Sequence, residues 1–379
     1  SVERGSTYSN ILYISTPQNF TMENTTEESH LLVLLGNGFD LAHGLKTSYS
    51  DLMDYLLEET RKNSTKKPPF IKLYKKDGET KEDPYLAMTH NSKLGKKVLT
   101  TKPNSNSILF RFLFENFNTT KTWGDFEETY FRVLYGHKGD SKLDTQNNRI
   151  DIINKEFEHL RKLLEDYLTG VEDKIDEDQI QSYINENSVY ELLSQKTKNH
   201  LSINIINFNY TSKIANVINE KLFIPLTHFD ISGREGTYYK KSKIFHIHGK
   251  INSTENPIIF GYGNDRSEKF KELLQYRNDD LMKYMKTFLN KQNIVNNHIN
   301  YYLGVGNTKV IVLGHSLSDT DSSILNKIFK HKNVKSIELV YHQDKSKYKK
   351  NLIQFARIVD DQNIIDQKVL SREETGFIP

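Results

Sequence analysis

Four short stretches hold the residues with chemistry to offer, and each follows an apolar run. The first is Gly36-Asn37-Gly38-Phe39-Asp40-Leu41-Ala42-His43-Gly44-Leu45, directly after the run LLVLL at 31–35. Glycines let a backbone turn sharply and approach a phosphate closely. A helix starting there turns free N–H groups toward an anion. Gly36, Asn37, Gly38, Phe39 and His43 are therefore candidate ligand-binding residues, and Asp40 is a candidate catalytic acid. The spacing is G-x-G-x5-G, not the dinucleotide fingerprint G-x-G-x-x-G. A tight strand–helix turn with no ligand accounts for the glycines about equally well.

The second stretch is Asn207-Phe208-Asn209-Tyr210-Thr211. Asparagine both donates and accepts hydrogen bonds, which suits ribose hydroxyls or a water. Asn207 is a candidate ligand contact and Asn209 a candidate catalytic residue, while an Asx turn closing the strand explains both without a ligand. In the third, Phe245-His246-Ile247-His248-Gly249-Lys250, strand alternation puts His246, His248 and Lys250 on one face. His248 precedes a glycine at a strand end, a good place for a general base, whereas His246 suits packing or a structural hydrogen bond. Two histidines at i, i+2 also suit a metal, but no HExxH, cysteine or clear third ligand accompanies them, and no metal is expected. The fourth stretch runs from Val310 to Asp321 through Gly314, Ser316 and Ser318. Gly314, Ser316 and Asp321 are candidate ligand contacts, and Ser318 with Asp321 also fits a helix cap. Gly261-Tyr262-Gly263-Asn264-Asp265 is a further loop of this kind or only a turn. In Trp123-Gly124-Asp125-Phe126-Glu127, Trp123 suits an anchor for the following helix, and Asp125 and Glu127 suit helix-dipole acids as well as catalytic ones.

These stretches need strands to carry them. Apolar runs predict strands at 31–36, 201–206, 243–248, 257–260, 309–314 and 335–341. Helical spacing marks 106–119, 122–136, 148–170 and 187–197, and helices are expected at 210–220, 267–291, 319–331 and 345–357. Ser48 with Asp51 opens another through about residue 59. The alternation predicts an α/β fold, a Rossmann-like parallel sheet with an inserted helical domain. Residues 30–60 and 198–379 would form the core, 61–103 a basic insertion and 104–197 the helical insertion. Residues 1–29 are polar and aperiodic, with Met22 as a plausible start.

Of 379 residues, 52 are Lys or Arg and 49 Asp or Glu, for a net charge of +3. Residues 61–103 carry twelve of the bases and four of the acids, so that stretch is +8 and the remainder −5. A general polyanion binder is excluded, while a local clamp in which Phe70, Tyr74 and Tyr85 stack on bases is not. A solvated insertion is the plainer reading of that composition. No apolar run is long enough for a membrane helix, and no membrane partner is expected. Cysteine is absent, which removes disulfides, thiolate metal sites and a cysteine nucleophile and agrees with a cytoplasmic location.

In this order, GNGFDLAHGLKTSYSDL at 36–52, WGDFE at 123–127, NFNYT at 207–211, HIHGKI at 246–251, FGYGN at 260–264 and VLGHSLSDTD at 312–321 resemble the AbiH-like family. That resemblance implies abortive infection, in which a bacterial cell stops growing or dies before phage matures. The same order is more distantly similar to sirtuin-like NAD-binding domains. By that likeness Gly36, Gly38 and Asp40 line the phosphate and ribose region, Asn209 meets the nicotinamide ribose, His248 is the base, and Gly314 and Ser316 touch the adenosine half. The cysteines of the sirtuin zinc module are missing, which argues against peptide deacylation.

The leading expectation is an effector that binds a nucleotide and cleaves it as an NAD glycohydrolase, with no cofactor required and NAD as substrate or ligand. Two alternatives stay open: a nucleic-acid-directed toxin or sensor using the basic insertion, and a non-catalytic nucleotide sensor. Expected partners are a nucleotide, with a phage trigger, a nucleic acid and a second copy of the chain left open.

Overall fold

Five apolar runs supply the strands of one parallel sheet. The computed structural model describes residues 30–55, 122–139, 149–176, 188–197, 202–222, 242–292, 295–342 and 345–378, with shorter pieces between them. The strands are β1 (His30–Leu35), β2 (Ser202–Asn207), β3 (Lys243–His246), β4 (Thr308–Leu313) and β5 (Val334–Leu339). Their order is β5-β4-β1-β2-β3 and every pairing is parallel. The chain thus works outward from β1 to β3 on one side, then returns to build β4 and β5 on the other.

The helices that concern the site are α1 (Asn37–Ala42), α2 (Trp123–Gly136), α3 (Arg149–Glu172), α4 (Ser188–Thr197), α5 (Lys213–Lys221), α6 (Glu268–Gln275), α7 (Lys286–Gln292), α8 (Val295–Val305), α9 (Ser322–Lys330) and α10 (Lys345–Val359). One face of the sheet, with Leu32, Leu34, Ile206, Val310 and Val312, packs on Ile299, Leu325, Ile328 and Phe355 of α8, α9 and α10. The other, with Leu31, Val33, Leu35, Ile203 and Ile311, packs on Val189, Leu193, Ile214 and Ile218 of α4 and α5. Because both faces are covered, β1 has no polar alternation, and residues 31–35 are all buried. Each such leucine contributes about 1.5–3 kcal/mol by leaving water.

A third apolar cluster lies between α2 and α3. Tyr130 and Phe157 stack with centroids 3.9 Å apart, and Phe157 stacks on Phe260 at 5.0 Å. The helices that separate β1 from β2 therefore share a core with residues 251–285, which follow β3. Trp123 ties this cluster to the β1 side, its Nε1–H donating to Thr47 O at 2.9 Å.

Several sequence expectations change. Residues 257–260 form a buried loop, not a strand, and Ile258 and Phe260 are drawn into the aromatic cluster. The single helix expected over 267–291 is broken: α6 stops before Arg277, whose φ is +50°, and a 3-10 turn at Asp279–Leu281 precedes α7. Helix α8 has no counterpart among the expected elements. The strand at 243–248 ends at His246, so alternation does not carry His248 and Lys250 onto its face. Within 61–103 only two short antiparallel pairs are described, 74–76 with 79–81 and 88–90 with 99–101. The clamp residue Phe70, the side chains of Tyr74 and Tyr85, and the polar extension at 1–29 lie outside the described residues. Among the described residues, no helix is long and apolar enough to cross a membrane.

Candidate functional site

The chain reverses its direction of build between β1 and β4, and a cleft of about 770 Å3 opens there at the carboxyl ends of the strands. Open parallel sheets leave a crevice at such a point because the loops of the two adjacent strands diverge. Here the loops after β1 and β4 touch backbone to backbone. Gly38 N–H donates to Gly314 O at 2.8 Å, and Gly36 N–H to Leu313 O at 3.0 Å. A Cβ on Gly314, whose φ is +68°, would stand 2.3 Å from Phe39 N, and one on Gly36 would stand 2.4 Å from His315 Cα. Loop packing alone thus requires these glycines, with or without a ligand.

One wall of the cleft is polar, and its hydrogen-bond partners carry no charge. Asp40 is buried on α1, and Thr211 Oγ1 donates a short hydrogen bond to its carboxylate. Burial, with a smaller contribution from the Glu172 carboxylate, raises the Asp40 carboxyl from 3.8 to about 7, against the opposing effect of the Thr211 and Asn209 hydrogen bonds. The Asn209 amide also donates to Gly36 O at 3.1 Å, tying the loop after β2 to the loop after β1. Asn207 closes its own turn: its side chain accepts from Asn209 N–H and donates to Thr211 O, both at 3.0 Å.

A second wall is ionic. Lys286 Nζ, at the start of α7, lies 2.8 Å from Glu127 Oε2 and 3.0 Å from Asp321 Oδ1. Two imidazoles face the same Asp321, His248 Nε2 at 3.1 Å and His315 Nε2 at 3.5 Å. Phe208 packs edge-on against both rings. Burial pushes Glu127 up to about 7, and Asp321 adds to the rise while Lys286 opposes it. Burial also acts against charge on Asp321, but Lys286 and His248 hold that carboxyl well below its usual value. Asp321 is therefore the acid that carries charge, and Glu127 is the more readily protonated of the two. Burial, and after it Lys286, keeps His248 below its ordinary value, as a neutral imidazole.

Asp40, Asn209, His248, Gly36, Asn37, Gly38, Phe39, Gly314, Ser316 and Asp321 all line the cleft. His43 and Asn207 are buried away from it: His43 Nδ1–H donates to Phe39 O at 2.7 Å and the ring packs on Phe39. His246 is likewise buried, and burial lowers it to about 4. The acids of the 123–127 stretch part company. Asp125 closes a capping box with Thr122, whereas Glu127, two residues on, turns inward to Lys286. Lys286 and His315 were missed by sequence reasoning. His315 stood inside a singled-out stretch, but nothing around Lys286 distinguishes it from other lysines of the chain. Among the described residues, no group of three or more His, Asp or Glu is disposed to hold a metal.

A parallel sheet with helices on both faces and a polar cleft across its order reversal defines a protein of the α/β class. The family model for bacteriophage abortive infection AbiH matches residues 32–343, and the chain belongs to that family. Its membership assigns it to abortive infection by phage. No curated protein sequence matches the chain.

Proposed function

We propose that this chain is an anti-phage effector of the bacterial cytoplasm whose cleft binds a nucleotide such as NAD and hydrolyses its nicotinamide–ribose bond. On this reading the sheet is Rossmann-like, the helices between β1 and β2 are an insertion, and the pocket is sirtuin-like. The observation that carries the reading is the meeting of Asp40, Asn209 and His248 around one cleft of about 770 Å3 at the strand ends. That size suits a small-molecule ligand.

In the step proposed, the oxygen of a water bonds to the ribose C1′. The C–N bond breaks, its electron pair goes to the departing nicotinamide, and the water's proton goes to His248. A neutral imidazole accepts that proton readily, and Asp321 orients the ring and stabilises the imidazolium. Positive charge builds on the ribose as the bond breaks. Asp40, when ionised, offsets it, and Asn209 holds Asp40 and the Gly36 loop in register. No cofactor is needed for this chemistry.

The test is incubation of the purified full chain with NAD, ATP, tRNA and single-stranded DNA, with products resolved by mass. Free nicotinamide and ADP-ribose in equal amounts are expected. Intact NAD alongside shortened nucleic acid would overturn the proposal and move the activity to the nucleic-acid reading.

A further inference from the structure

The glycine loops are the obvious place to look for a phosphate, but their amides are largely spent. Gly36, Gly38 and Phe39 donate their N–H groups to Leu313 O, Gly314 O and Gly36 O. Helix α1 that follows has only six residues. An anion in this cleft must find its positive charge in side chains. Three lysines and no arginine line it. Lys286 is buried between Glu127 and Asp321 and is held by both. Lys347 and Lys350 remain, one turn apart on α10, exposed at the rim and paired with no carboxylate among the described residues. At i, i+3 both can reach the same group. The cleft is therefore polarised, with carboxyls and imidazoles buried at one end and two free ammonium groups at the mouth.

We infer that Lys347 and Lys350 form the phosphate subsite of this cleft, so that the ligand is a phosphorylated nucleotide bound with its phosphates at the α10 rim and its ribose toward Asp40 and His248. This inference rests on the nucleotide reading above and adds to it where the charge sits. It also separates nucleotides from nucleosides, because a nucleoside offers the two lysines nothing. The attraction acts at an exposed rim, so it weakens with salt.

The experiment is calorimetric titration of the full chain with ADP, adenosine and inorganic pyrophosphate, for wild type, the double variant Lys347→Gln/Lys350→Gln, the charge-keeping Lys347→Arg/Lys350→Arg and the off-cleft control Lys349→Gln. Wild type should bind ADP more tightly than adenosine. The double glutamine variant should lose about tenfold or more in ADP affinity, with adenosine binding unchanged. The arginine variant should recover most of the loss, and Lys349→Gln should bind as wild type does. Equal ADP affinity in wild type and the glutamine variant would overturn the subsite while leaving nucleotide binding intact. Pyrophosphate binding that depends on the two lysines, with no gain from the adenosine moiety, would uphold the subsite and overturn the nucleotide reading. No binding of either ADP or pyrophosphate would overturn both.

Discussion

Asp40 and Glu127 both line one cleft, and burial pushes both carboxyls up to about 7. Their partners differ. Asp40 is met by the hydroxyl of Thr211 and the amide of Asn209, groups that carry no charge. Glu127 is met by an ammonium that also serves Asp321. On the first wall no cation compensates the charge of Asp40, and the Glu172 carboxylate opposes it. The second holds a network in which removing one member leaves the others stranded. A proton on Asp40 is therefore a local matter, whereas the second wall behaves as a unit.

Breaking the ionic wall should have the largest effect. Lys286→Met removes the shared ammonium and leaves Glu127 and Asp321 buried side by side, a loss of about 3–5 kcal/mol. Chemical denaturation at pH 7 measures it. A loss under about 1 kcal/mol would mean that the two walls do not differ in the way described.

Asp40→Asn should act in the other direction, and only above acidic pH. The folded value of about 7 lies above the ordinary 3.8, so between those limits the native state keeps a proton that the unfolded chain releases. That contribution is fully present below pH 3.8, is lost as pH rises toward 7 and is constant beyond. Asparagine does not titrate, so the variant should gain on wild type across that window by on the order of a few kcal/mol. Denaturation midpoints at pH 4, 5.5, 7 and 8 would show the difference growing and then levelling. A difference independent of pH would place Asp40 in an environment unlike the one described.

The smallest expected effect tests what joins the walls. Gly314→Ala puts a Cβ against Phe39 N at a positive φ and should cost roughly 1–3 kcal/mol. An unchanged melting temperature would show that the two glycine loops do not depend on that close approach.

The neutral wall was legible in the sequence and the ionic wall only in part, for a physical reason. Gly36, Asp40, Asn209 and Gly314 all stand within a few residues of strand ends, where apolar periodicity breaks sharply enough to be seen. The same logic found the parallel sheet. Lys286 is brought in from a helix start, inside a stretch that the sequence reads as one continuous helix and that folds as α6, a 3-10 turn and α7. Glu127 was visible but not separable from Asp125, because a capping acid and a buried acid look alike until the helix is docked. The glycines show the converse. They read as a ligand signal, yet the packing of the loops after β1 and β4 explains them with no ligand at all.

Phage protection shows most directly whether the cleft is the working part of the molecule. The measurement is phage protection in cells expressing wild type, His248→Ala or Asn209→Ala, paired with thermal unfolding of each purified protein. Both variants should lose protection at wild-type expression, His248→Ala with a melting temperature lowered far less than that of Lys286→Met because its imidazole is neutral, and the double variant should be little worse than either single one because the residues act as one constellation. Full protection by both well-expressed single variants would contradict the account.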